Sequence, residues 1–231
     1  MKRFWSYYWF CLASIAFAAC SKSEPVYQYI NEPAMVTVKG SDTVLRIADG
    51  IVYAPGQLKA LKPGDCLMAY FTVDLGNQPV ANQTHLQNLS YDTIGKNPVR
   101  IISGPMQSVF NDSIEEAAMY KRSFDSVLFF IFEHKRFDYH YTYEIICNTD
   151  SIETRVNGID IPKLYIRTKL HGNTLSNRKH INCAFDMSAF AKAYVNPSTK
   201  EVNLYLQYKT ATKGGSDVYK KFQTYPIKWN P

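Results

Sequence analysis

The sequence predicts an all-β protein arranged as two domains. Three observations carry this reading. Apolar and polar residues alternate with a period of two through several long stretches, the pattern of strands with one face buried. Tyrosine (17) and phenylalanine (13) are abundant, and aromatic side chains favour strands. Clusters of Gly, Pro, Asn and Asp cut the alternating runs at short intervals. The 231 residues suit one large or two small domains, and at 46% hydrophobic with only 11 Gly and 11 Pro the chain is neither collagen-like nor disordered. A chain of this size buries a core without depending on disulfides.

Residues 1–19 read as a lipoprotein signal peptide. Lys2 and Arg3 form a positive start, Phe4–Ala19 is uncharged and apolar, and Ala18-Ala19 directly precede Cys20. Sixteen residues between the last charge and Cys20 are short for a membrane span, which needs about 20. Removing this segment lowers the formal charge from +6 to +4, with 24 basic against 20 acidic residues and no basic block longer than two. That balance argues against a nucleic-acid partner. The run Phe17-Ala18-Ala19-Cys20 resembles the lipobox of bacterial lipoproteins, with Phe17 where Leu is usual. The resemblance implies a diacylglycerol thioether on Cys20, with palmitate-type chains as membrane anchor and residues 20–26 as a lipidated tether. The competing reading is cleavage nearby that leaves Cys20 unmodified.

The first alternating run spans Cys66–Leu75, with Leu67, Ala69, Phe71, Val73 and Leu75 on one face. Shorter strand candidates are Met35–Lys39, Thr43–Ala48, His85–Tyr91 and Val99–Ser103. Residues 27–110 have the size of a small five-strand barrel. Ile114–Arg122 predicts a helix, capped by Asp112 or Ser113 and with Glu115 and Glu116 in its opening turn, so 111–122 reads as a junction helix or linker. Residues 123–231 have the size of a seven-strand, Ig-like antiparallel sandwich. Within it Ser126–Phe132 is apolar almost throughout, as in a strand buried on both faces. Phe137, Tyr139, Tyr141, Tyr143 and Ile145 alternate with Asp138, His140, Thr142 and Glu144. Leu164, Ile166, Thr168 and Leu170 form a further face, as do Val202, Leu204, Leu206 and Tyr208. Met187–Ala193 reads as a short helix.

Three cysteines remain once Cys11 leaves with the signal and Cys20 is acylated. Cys66 sits in an apolar strand pattern and reads as core. Cys147 and Cys183 could form a disulfide, or stay as thiols; the sequence leaves both open.

Gly64-Asp65-Cys66-Leu67-Met68-Ala69-Tyr70, then Leu164-Tyr165-Ile166-Arg167 leading to His171-Gly172-Asn173, then Phe185-Asp186-Met187-Ser188, resemble the NigD-like lipoproteins of Gram-negative bacteria. The resemblance implies an N-terminal OB-like barrel and a C-terminal β-sandwich. It also implies a non-enzymatic, lipid-anchored envelope protein at the outer membrane, on its periplasmic face or the cell surface.

No nucleophile elbow, phosphate loop, paired-His zinc helix or CxxC pair is present, so no catalytic residue, metal or cofactor is assigned. Asp138, His140 and Glu144 share one strand face and could hold a divalent ion, but a solvated polar face is the better reading. His134 and His180, beside basic residues, read as surface-loop histidines, and His85 is assigned no role. Outward Tyr165 and Tyr205 could stack on sugars, although Trp229 is the one tryptophan beyond the signal. Asp-Ser/Thr-aliphatic occurs five times, resembling the acceptor motif of a general bacterial O-glycosylation system and making Thr43, Thr93, Ser113, Ser126 and Ser151 candidate acceptors. Closure of a turn by Asp-Ser/Thr is the structural alternative. The expected role is a monomeric binding or accessory module with an envelope-protein or glycan partner. The alternative is a carbohydrate-binding surface lipoprotein of a polysaccharide-uptake system.

Overall fold

The computed structural model describes residues 25–106, 112–120, 126–134, 139–156, 158–173, 180–211, 217–222 and 226–228. The signal segment and Cys20 lie outside these residues, as do Asp138 and Trp229. The chain is nearly all β, as the alternation predicts.

The first sheet comprises β1 (Val26–Lys39), β2 (Asp42–Ile47), β3 (Gly50–Tyr53), β4 (Cys66–Asp74) and β5 (Gln87–Ile94). Its order is β3-β2-β1-β4-β5, with every pairing antiparallel. The two outer strands also meet. Tyr53 forms a parallel bridge to His85; its N–H donates to the Thr84 carbonyl at 2.8 Å, and Leu86 N–H donates to the Tyr53 carbonyl at 3.0 Å. The sheet therefore curls round on itself, and Leu67, Ala69, Phe71 and Val73 fill the interior with Val36 and Leu45. These four β4 residues lie on the face that alternation marks; Leu75, the fifth of that run, leaves the strand in a 3-10 turn and is 40% exposed.

β1 extends nine residues before the predicted Met35 start. Its register shifts between Tyr29 and Glu32, where Asn31 adopts φ 55°. Tyr29 stacks on interior Phe71 before that bulge, whereas Ala34 and Val36 face the interior after it. A bulge reverses the inward parity of a strand, which breaks the period-two signal in the sequence.

The second sheet contains β6 (Lys96–Ile102), β7 (Glu116–Met119), β8 (Val127–Glu133), β9 (Tyr139–Val156), β10 (Ile159–Asn173), β11 (His180–Asp186), β13 (Leu206–Ala211) and β14 (Asp217–Lys221). Their order is β14-β13-β10-β9-β6-β11-β8-β7; β12 (Glu201–Val202) pairs separately with β15 (Ile227–Lys228). The expected purely antiparallel arrangement is corrected here. β6 runs parallel to both β9 and β11, and β10 runs parallel to β13. Alternation reports a half-buried face and carries no information on strand direction. β6 also lies within the 27–110 segment yet pairs only in the second sheet, so sheet membership changes at Gly95.

The predicted junction helix is a strand. Glu116–Met119 pairs antiparallel with β8, and Ala117 and Met119 pack on the main core. Asp112 caps no helix: its carboxylate accepts Leu170 N–H at 2.7 Å, and its backbone bridges Thr168. Local helix propensity amounts to tenths of a kcal/mol per residue and yields to a buried pairing edge. The expected short helix forms as α1 (Ser188–Tyr194), with Asp186 accepting Ser188 N–H at 2.9 Å at its entrance.

The main core joins Phe130, Phe132, Ile145, Leu164, Phe185 and Tyr208, all fully or nearly fully buried. A smaller cluster joins the two sheets: Met35, Cys66 and Met68 from the first meet Val127, Phe129 and Ala184 from the second. β8 thus buries both faces, Phe129 toward the first sheet and Phe130 and Phe132 toward the main core.

Candidate functional site

The chemistry-bearing side chains fall into three groups. The first lies on the face of β6, β9, β10, β13 and β14 opposite the main core. Tyr143 and Ile145 point into the core, so Glu144 points the other way, as its alternation predicts. It is nevertheless buried. Arg100 on β6 donates from Nη1 to Glu144 Oε2 at 3.0 Å, and cross-strand Arg167 on β10 donates from Nη1 to Oε1 at 3.4 Å. The Arg167 and Glu144 side chains are each 8% exposed, that of Arg100 54%. Beside them Tyr165 lies edge-on to the half-exposed Tyr219 at 5.7 Å, and Glu153 bridges Lys221 at 2.7 Å and Lys163 at 3.4 Å. Hydrogen bonding by Lys221 holds the Glu153 carboxyl below its ordinary range.

His140 is exposed and faces His171 at 5.9 Å between ring centres, and Glu144 is bound to its arginines. His140 and Glu144 are therefore not brought together as a cation site among the described residues, and Asp138 lies outside them. Neither Arg100 nor Arg167 receives a site role from the sequence. Arg167 does sit opposite Glu144 when the two alternating runs are paired, but Arg100 arrives on a strand from the other half of the chain.

The second group is buried. His134 is 2% exposed, a correction to its reading as a surface histidine. Its Nε2 lies 2.7 Å from the Tyr143 hydroxyl, and its ring stacks on Tyr141 at 3.7 Å. Burial pushes its pKa down to about 4, so the ring is neutral at pH 7. Burial likewise raises the Tyr143 hydroxyl. His180, by contrast, is exposed on β11, 3.9 Å from Glu133. His85 stacks on Tyr53 at the point where the first sheet closes.

The third group is the thiols. Cys66, Cys147 and Cys183 are free and buried, so no Cys147–Cys183 disulfide forms. The register explains why. β6 separates β9 from β11, a lateral gap of about 10 Å. Cys147 lies opposite Ile101 while Ala184 lies opposite Lys96, which adds roughly 20 Å along the strands. A disulfide spans at most about 7 Å between Cα atoms. Burial raises Cys66 and Cys147 to about 11 and Cys183 further.

The acceptor-like motifs are spread over both sheets. Thr43 on β2 and Thr93 on β5 are exposed; Ser113, Ser126 and Ser151 are half-buried. Two of the motif aspartates serve the backbone: Asp112 at Leu170, and Asp150, which accepts Gly104 N–H at 2.6 Å.

No protein-family model and no curated protein matches the chain. Solved structures share its fold. An uncharacterized protein from Parabacteroides merdae is 16% identical with a TM-score of 0.62, covering 87% of this chain and 98% of its own. A NigD-like immunity protein from Bacteroides caccae is 13% identical with a TM-score of 0.53, covering 89% and 98%. A Bacteroides fragilis protein assigned to the lipoproteins is 12% identical with a TM-score of 0.53, covering 90% and 99%. At these identities the likeness is one of fold.

Proposed function

We propose that this chain is a lipid-anchored outer-membrane protein of the cell envelope that acts by binding, with Cys20 as the acylated residue. One observation carries the binding reading: among the described residues, the three thiols and His134 are committed to packing. The three thiols are buried with raised pKa values, which leaves them poor nucleophiles, and His134 is neutral, stacked and hydrogen-bonded in the core. Fold likeness to a lipoprotein and to a NigD-like immunity protein supports the envelope setting. In this reading the first sheet is an OB-like barrel, supported by its β3-β2-β1-β4-β5 order with parallel closure at Tyr53–His85. The second is an Ig-like sandwich whose layers share β6, which pairs with β11 through residues 96–98 and with β9 through residues 99–102. Cell fractionation tests the anchor. Cys20→Ala moves the protein from the membrane pellet to the soluble fraction, and a mutant that still sediments refutes lipidation.

A second reading, a glycan-capturing surface lipoprotein, is favoured by Tyr219, 49% exposed beside Tyr165 on a charged sheet face. Pyranose rings stack on such aromatic surfaces. Retention on a glycan array that Tyr219→Ala abolishes selects this reading; absence of retention removes it. The exposed Thr43 and Thr93 are the acceptors best placed for O-glycosylation, and a native mass equal to lipidated polypeptide alone refutes modification.

A further inference from the structure

Exposed apolar side chains gather at the end of the barrel where β1 begins, beside the polar Gln28 and Gln87. Val26 is 62% exposed and Tyr27 47%. They pair with Asp74 and Val73 at the end of β4, and Leu75, 40% exposed, follows directly in a 3-10 turn that packs against β1. Ile30, 65% exposed, lies four residues further along β1, at the register shift. These side chains belong to neither core cluster of the barrel interior nor the cluster joining the sheets. Solvation of four large apolar groups is unfavourable, and grouped exposure of this kind marks a contact surface.

The chain length outside the strand says what covers it. Only Ser21–Pro25 separate Cys20 from Val26, so even fully extended the tether spans about 20 Å. The joint with the second sheet lies further along β1: Asn31, which bonds Tyr120, is five residues from Val26, or about 17 Å, and Met35, which packs on the second sheet, is nine residues away, or about 30 Å. We propose that Val26, Tyr27, Ile30 and Leu75 form a bilayer-contacting surface that seats the barrel on the membrane, with the far end of the second sheet pointing away. The inference rests on acylation of Cys20. A short tether then confines this end to the lipid surface, where apolar side chains partition into the headgroup–acyl boundary.

The test uses the full-length lipidated protein in vesicles of phosphatidylethanolamine and phosphatidylglycerol. Leu75→Cys, and separately Val26→Cys, carry an environment-sensitive thiol dye, with Val218→Cys on β14 as the distant control; the native thiols are buried and take no label. Quenching by brominated acyl chains should be at least about twofold stronger at positions 75 and 26 than at 218. Iodide in the water should show the opposite order. Dyes at 75 and 26 that iodide reaches as readily as at 218 overturn the seating, as do dyes shielded from both quenchers, which would place another protein there. Flotation separates the two claims. Protein that floats with the vesicles while its dyes stay in water loses only the seating; protein that does not float loses the anchor and the seating together.

Discussion

Glu144 and Arg167 sit directly opposite each other on β9 and β10, each with a side chain 8% exposed, on the sheet face turned away from the main core. A buried ion pair contributes little net stability because desolvation offsets attraction, but removing one partner strands a charge. Glu144→Ala is therefore expected to lower unfolding free energy by about 3 kcal/mol, read as a shift in urea midpoint. Arg100→Gln, whose side chain is 54% exposed, should cost less than about 1 kcal/mol. The double variant Glu144→Leu/Arg167→Leu should recover most of the loss. Equal effects of Arg100→Gln and Glu144→Ala would show that burial of the Glu144–Arg167 pair is unimportant.

His134 gives the fold a defined acid sensitivity. Its pKa falls from 6.5 in the unfolded chain to about 4 in the folded one, because burial disfavours the charged ring. Between those values the unfolded state binds the extra proton. The stabilising contribution is thus complete above pH 6.5 and is lost as pH falls through 4, with a slope approaching about 1.4 kcal/mol per pH unit. His134→Gln retains a polar partner for Tyr143 and removes the titration. Denaturation series from pH 7 to pH 5 should show a shallower fall for this variant than for wild type; parallel curves would place the acid-sensitive group elsewhere.

Most of the core is legible in the sequence, because half-buried strands write their inward face as every second residue. Leu67–Val73, Leu164–Ile166 and Val202–Tyr208 all point inward as read. Legibility failed where a third partner decides. The start of β1 was hidden by the bulge at Asn31, and β7 by helix-favouring Glu and Ala that an edge pairing overrode. Arg100 stayed invisible because β6 crosses to the other sheet, and His134 because its flanking charges describe its neighbours in sequence and not in space.

The thiols allow a direct chemical check. With all three buried and free, a thiol-reactive disulfide reagent should find no accessible group in the folded mature chain and three upon unfolding without reductant. One thiol after unfolding would mean that Cys147 and Cys183 had bridged, which the roughly 20 Å offset along their strands forbids.

The two sheets are coupled by a polar chain as well as by packing. Tyr70 donates its hydroxyl to Asn31 Oδ1 at 3.2 Å, Asn31 Nδ2 donates to the Tyr120 hydroxyl at 3.3 Å, and Tyr120 donates to Asn182 Oδ1 at 3.2 Å. Tyr120 lies just beyond β7 and Asn182 on β11, so these bonds run from the first sheet into the second beside the fully buried Phe129. Removing the Tyr120 hydroxyl breaks two of the three bonds and leaves partly buried amides short of partners. Tyr120→Phe should cost about 1–2 kcal/mol, whereas Phe129→Ala should cost about 3–5 kcal/mol by opening a cavity between the sheets. The expected signature is cooperative: wild type melts in one calorimetric transition, Tyr120→Phe lowers its temperature, and Phe129→Ala splits it as the first and second sheets begin to unfold separately. A single undivided transition in Phe129→Ala would show that β6, passing from one sheet to the other at Gly95, couples them without the shared cluster.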